Sequence, residues 1–265
     1  MRVALAAVLA VILSISILLP AAAQRTASTS AQAVQLLQSA LKALAPNAAT
    51  TDVTLSGSAH YIAGSDDETG TATLEAIAAG ASRVDLSLPS GPRSEVRNLA
   101  GDPPKGVWSG TDGVAHSIAG HNLFAEPSWF SPALAITREL SSSGYIASYV
   151  GAETLDSQDV QHISLSRQPA DPSADSLLIS HLTQVELYLD SSTLLPAAMT
   201  FNIHPDDNAF LDIPIEVRFS DYRSVNGAQV PFHVQKFLNN GLVLDLQFQN
   251  AAINSGLSPT EFAVQ

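Results

Sequence analysis

The chain contains no cysteine. That excludes disulfides, thiolate metal ligands, a cysteine nucleophile and the acylated N-terminal cysteine of a bacterial lipoprotein. Positive charge is scarce as well: 12 Lys and Arg stand against 25 Asp and Glu, for a formal net charge of −13. Nucleic acid and anionic lipid surfaces require a basic footprint, so no nucleic-acid partner is expected. Aromatic residues make up 6%, and the only tryptophans are Trp108 and Trp129, which disfavours a sugar-stacking surface. Catalytic motifs are missing too. There is no Gly-x-Ser-x-Gly elbow, no P-loop and no His-Glu-x-x-His. His116 and His121 fit no common zinc spacing. His204, Asp206 and Asp207 offer too few oxygens for a calcium loop and read as a solvated turn. Asp66-Asp67-Glu68 reads as a hairpin tip. No catalytic residue, metal site or cofactor is therefore expected, and the chain does not read as an enzyme.

One long apolar run is present. Val3 to Leu19 is broken only by Ser14 and Ser16, follows Met1-Arg2, and ends at Pro20 before Ala21-Ala22-Ala23. This is the layout of a secretory signal peptide cleaved near Ala23/Gln24. The alternative is an uncleaved anchor, because the run approaches the ~20 residues needed to span a bilayer. The expected division is a leader over residues 1–23 and a single domain over 24–265. Cleavage would leave a soluble exported protein, and the alanine-rich leader points to a bacterium, hence to the periplasm or outside, with the periplasm and a monomer expected. A hydrophobic content of 46% is ample for a core.

Periodicity defines the rest. Val34, Leu37, Leu41 and Leu44 recur at helical spacing over 31–45, after Ser28 or Ser30 as cap and before Pro46. Period-two alternation then dominates. It is clearest where Val217 and Phe219, Val230 and Phe232, and Leu244 and Phe248 share faces across turns at Asn226-Gly227 and Asn240-Gly241. Ser131-Pro132 starts a second helix carrying Ile136. Just before it, Phe124, Trp129 and Phe130 form an aromatic loop, read as a plug for the end of a sheet or as a lid. Asp175–His181 reads as a helical turn. The expectation is a mainly β (α+β) fold. An antiparallel meander of about eleven strands is too large to stay flat and must curl, with an N-terminal helix and short interior helices covering its concave face.

Three stretches carry a family resemblance. Tyr188-Leu189-Asp190 followed by Leu195-Pro196, then Phe219-Ser220-Asp221-Tyr222-Arg223 running to Asn226-Gly227, then Ile253-Asn254-x-Gly256-Leu257-Ser258 with Phe262 resemble hairpins of LolA-like outer-membrane lipoprotein-sorting proteins. They lie within Val185–Phe262 and are structural motifs, marking a fold better than a cargo. The resemblance implies that the curled sheet is an unclosed antiparallel half-barrel, with helices as a lid over an apolar cavity. It also implies a carrier holding the acyl chains of a lipid or lipoprotein, with membrane proteins as donor and acceptor. On that reading the cavity lining is Leu37, Leu41, Ile136, Met199, Phe201, Ile203, Val217, Phe219, Phe232, Leu244 and Phe248. The family's archetypal carrier keeps a cavity arginine that holds the lid; Arg83, Arg93 and Arg97 all lie in the right region. Two other readings stay open: an envelope sensor of the same fold, and a secreted β-rich enzyme or carbohydrate-binding module.

Overall fold

The computed structural model describes residues 29–126, 128–169 and 174–264. The expected leader lies outside them. Among the described residues, no helix is long and apolar enough to cross a membrane.

Among the described residues, every strand pairs antiparallel in one sheet of thirteen. The chain enters at β1 (Asp52–Ala63) and meanders outward through β2 (Asp66–Ile77), β3 (Ala81–Leu88), β4 (Gly91–Asn98) and β5 (Lys105–Ser109) to the edge strand β6 (Ala115–Ser117). It then crosses, through a 3₁₀ turn at Gly120–Phe124 and the helix Pro132–Ser141, to the opposite edge, β7 (Tyr145–Leu155). From there it returns through β8 (Gln158–Arg167), β9 (Val185–Asp190), β10 (Pro196–Ile203), β11 (Ile213–Val225) and β12 (Ala228–Leu238) to β13 (Gly241–Ile253), which pairs with β1. The two edges do not pair, so the half-barrel is unclosed, as expected. The count exceeds about eleven because the weakly patterned segments Gly91–Asn98 and Ala115–Ser117, where the sequence suggested a candidate strand over 94–99 and a hairpin arm over 114–118, both pair. They have little alternation of their own and take their strand conformation from a neighbour's free edge.

The N-terminal helix α1 (Ala31–Leu44) begins where Ser30 Oγ accepts the Ala33 N–H at 3.3 Å. The Ser30 N–H donates to the Ala147 carbonyl at 2.7 Å, fixing the helix entry on the edge strand β7. Leu37 and Leu44 are fully buried. In α2 (Pro132–Ser141), Pro132 opens the helix as expected, although the Ser131 side chain makes no capping bond. The expected turn near residue 175 is a nine-residue helix, α3 (Ala174–Leu182). Trp129 and Phe130 are buried in the main core with Ile136 and Leu37, so this part of the aromatic loop fills the core, whereas Phe124 is exposed.

Asn226-Gly227 turns the chain with φ of +49° and +87°. The next turn falls one residue earlier than expected. Leu238 pairs with Gly241, so Asn239 and Asn240, at φ +48° and +63°, are the turn residues. Asn tolerates this left-handed region, and a bulge between Lys236 and Phe237 absorbs the odd residue. Leu244, Leu246 and Phe248 thereby keep their inward face.

The three resembling stretches are turn and cap chemistry. Asp190 Oδ1 accepts the N–H groups of Ser192 (3.0 Å) and Thr193 (2.6 Å), nucleating the β9–β10 turn. Tyr222 Oη donates to the Pro196 carbonyl at 2.8 Å, joining the first stretch to the second. Asp52 accepts from Ser255 N (2.7 Å) and Gly256 N (3.1 Å), fastening the third to the start of β1. Phe262 then folds under the sheet against Ile77, Ala81 and Val96, on the face away from the helices.

Candidate ligand-binding site

The inward row of β12 runs Val230, Phe232, Val234 and then, by the same parity, Lys236. The ammonium lies 4.5 Å from the centre of the buried Trp129 ring, a cation–π contact. Among the described residues, Lys236 makes no ion pair. It stands in the wall of an open cavity of about 300 Å³. Apolar lining comes from Tyr61, Val84, Leu86, Trp108, Trp129, Val243 and Leu244, and charged lining from Arg93, Glu95 and Lys236.

Cross-strand pairing assembles this wall. Leu86 pairs with Arg93, Val84 with Glu95, and Glu95 with Trp108, so all of them face inward. Trp108 is half-exposed at the rim and stacks on His116, ring centres 4.4 Å apart. Arg93 donates to Asp66 Oδ2 at 2.9 Å and lies 4.6 Å over the Tyr61 ring. Burial works to raise the Glu95 carboxyl, but the charges of Arg97 and Lys236 outweigh it and hold the group below the usual range. Burial lowers the Lys236 ammonium pKa, and Glu95 only partly opposes this.

The arginines separate by place. Arg83 pairs with Asp85 on the outer face (2.5 Å), and Arg93 lines the cavity. The buried Arg97 pairs with Glu95 (2.7 Å) and donates to the Asn122 carbonyl (2.6 Å), so it is the one bonded to the segment crossing the concave face. Helix α2 is held by a buried charge network. Arg138 pairs with Glu126 and with Glu139 (2.8 Å), and Arg167 at the end of β8 pairs with Glu139 (2.9 Å).

Of the eleven expected lining residues, Leu244 borders the cavity. Leu37 on α1 and Ile136 on α2 are buried in the main cluster together with Met199, Phe201, Val217, Phe219, Phe232 and Phe248 of the sheet, and Leu41 and Ile203 pack against it. Alternation alone put them on one face; the helices that occupy that face determine which of them meet a void. The sequence reading missed Lys236 and Glu95; it named Trp129 only in the aromatic loop and Arg93 only as one of three candidate arginines. Extending the Val230–Val234 alternation by one step would have pointed to Lys236. His204, expected in a solvated turn, is buried.

A Ser-His-Asp chain occurs on the outer face. Ser220 Oγ lies 2.9 Å from His233 Nδ1, and His233 Nε2 lies 2.9 Å from Asp245 Oδ1. Ser220 and His233 are paired within the β11–β12 ladder. The arrangement is a polar ladder across adjacent strands.

An open antiparallel half-barrel, with helices seated on its concave face and a mixed apolar and charged cavity at one flank, defines a LolA-like fold. A LolA superfamily protein from Nitrosomonas europaea superposes with a TM-score of 0.53 at 14% identity, over 88% of this chain and 97% of that one. A DUF1329 family protein from Desulfovibrio piger gives a TM-score of 0.56 at 14% identity, over 87% and 97%. A domain assigned as an outer membrane lipoprotein-sorting protein, from Vibrio parahaemolyticus, gives 0.51 at 14% identity, over 87% and 97%. No family model and no curated protein matches the sequence.

Proposed function

We propose that this protein is a periplasmic carrier that holds the acyl chains of a lipid or lipoprotein in its concave face and passes them between membranes. The observation that carries the proposal is the open apolar cavity with an unpaired lysine in its wall. Each CH₂ hidden from water contributes about 0.8 kcal/mol, so an apolar wall favours an acyl chain. An unpaired, partly desolvated cation favours an anionic headgroup beside it. The acyl chain lies on Val84, Leu86, Val243 and Leu244, and its carboxylate or phosphate meets Lys236. About 300 Å³ is at the lower end for small-molecule sites. A longer chain needs Trp129 and α2 to move, exposing the floor of Phe201, Phe219, Phe232 and Phe248. The protein acts as a monomer by binding rather than catalysis, without a cofactor, and exchanges cargo with membrane-protein donors and acceptors.

Native mass spectrometry of detergent-free protein, with organic extraction of bound material, tests this. The expected result is co-purifying acyl lipid or acylated peptide, depleted in Leu86→Glu and Val243→Glu variants that keep the native circular dichroism. A ligand-free mass, with no uptake of added fatty acid or phospholipid, overturns the proposal.

A further inference from the structure

At the end of the half-barrel where α3 sits, three donors from distant parts of the chain converge. His204 directly follows β10, and Asp212 directly precedes β11. The last pair of that hairpin is Ile203 with Ile213, so His204 and Asp212 flank its mouth. His181 comes from the last turn of α3. His204 Nε2 lies 3.1 Å, and His181 Nε2 3.0 Å, from the same oxygen, Asp212 Oδ1. All three donor atoms lie within 4.8 Å of one another.

Hydrogen bonding alone does not satisfy this cluster. The His204 contact is a hydrogen bond. His181 Nε2, although close to the same oxygen, is buried and makes no hydrogen bond to it or to anything else. A nitrogen is thus aimed at a shared centre without a partner. Ligands about 2.0–2.1 Å from a tetrahedral zinc stand about 3.3 Å apart, close to the two contacts observed. Two imidazoles and a carboxylate make a donor set suited to Zn²⁺.

The surroundings fix the donors. Asn122 holds both backbone groups of His204: the His204 N–H donates to Asn122 Oδ1 at 2.8 Å, and Asn122 Nδ2 donates to the His204 carbonyl at 2.7 Å. His121, next to Asn122, packs edge-on against His204 with ring centres 5.9 Å apart, and its Nε2 lies 3.0 Å from the Pro205 carbonyl. His181 and Asp212 are partly exposed, leaving an entry path for an ion.

We propose that His181, His204 and Asp212 bind one Zn²⁺ ion, stapling α3 and the β10–β11 mouth to each other beside the crossing segment at Asn122. This goes beyond the carrier reading and does not depend on it. The test uses protein produced without a histidine tag and stripped with chelator, then titrated with Zn²⁺ by calorimetry and followed by thermal unfolding. The expected result is one ion per chain and a higher Tm, reversed by chelator. His204 is buried and its loss risks misfolding, so the partly exposed His181→Ala and Asp212→Asn carry the test. Each should abolish the Tm rise while the apo protein keeps its native circular dichroism. Asn122→Ala should weaken binding about 10–100-fold, the range for groups that orient a ligand. No uptake, or stoichiometric uptake undiminished in both His181→Ala and Asp212→Asn, overturns the proposal.

Discussion

Lys236 continues the inward row of β12 at a position where parity calls for another apolar side chain, and its neighbours are Leu244 across the ladder and Trp129 above it. Burial disfavours its charged form, and the acid that opposes this, Glu95, is already paired with Arg97 at 2.7 Å. An anionic headgroup supplies the missing partner. Charge-assisted hydrogen bonds are worth about 1.5–3 kcal/mol, so Lys236→Met should weaken binding of a fluorescent fatty acid by roughly 10–100-fold. A neutral diacylglycerol should bind about as before. The sign with pH follows from the lowered ammonium pKa. Lys236 loses its proton below the ordinary lysine value of about 10.4, so fatty-acid affinity should fall on the alkaline side earlier than for a solvated lysine, and the Met variant should show no such fall. Equal loss of both ligands would mean that Lys236 acts through packing.

Among the elements, α2 covers the concave face, and its attachment is electrostatic. Arg138, Glu126 and Glu139 are all buried, and Arg167 reaches in from β8. Breaking a buried network by removing one member costs about 3–5 kcal/mol, because charges are left without partners. Arg138→Ala should therefore lower stability by about that amount in urea titrations. It should also increase hydrogen exchange over Pro132–Ser141 more than in the strands below. Global loss of protection at equal rates would show that α2 does not open as a unit. Helix α1 is anchored differently, by the Ser30–Ala147 hydrogen bond and by Leu37 and Leu44 in the core. Its periodicity made it readable in advance. The four acids and bases around α2 could not be paired from sequence, because Arg167 reaches Glu139 only after the chain has crossed the sheet and Glu126 meets Arg138 only once the segment before α2 folds back.

For the molecule as a whole, the β1–β13 seam joins two meanders that are far apart in sequence, and Asp52 closes its end. The Asp52 carboxylate accepts from Ser255 N, Ser255 Oγ, Gly256 N and Thr51 Oγ1 at 2.7–3.1 Å. Burial pushes this carboxyl up, but those hydrogen bonds outweigh it and hold the pKa below its ordinary value. The folded value is then below the unfolded one of about 3.9. The stabilisation is fully present above the unfolded value and is lost as pH falls through the folded value. Asp52→Asn should cost about 1–3 kcal/mol at neutral pH and reduce the loss of stability on acidification. An unchanged acid limb of the stability profile would assign acid sensitivity elsewhere, with Asp190 the next candidate by its four bonds from Ser192 and Thr193.

The open half-barrel was implied by the resemblance of three turn stretches; by itself the sequence determined most of the strands, the α1 face and the Asn226-Gly227 turn. These follow from local alternation, caps and turn chemistry, which act within a few residues. The second asparagine turn was misplaced by one residue because the bulge at Lys236/Phe237 depends on pairing with β13, not on the turn itself. Tertiary structure alone decided what the inward face holds. Period-two alternation lists the residues of a face but says nothing of what covers it. Only the path of α1, α2 and Trp129 filled the floor under Phe201 and Phe232 and left space beside Lys236. It likewise brought His181, His204 and Asp212 together, since long-range contacts are set by topology and leave no periodic mark in the chain.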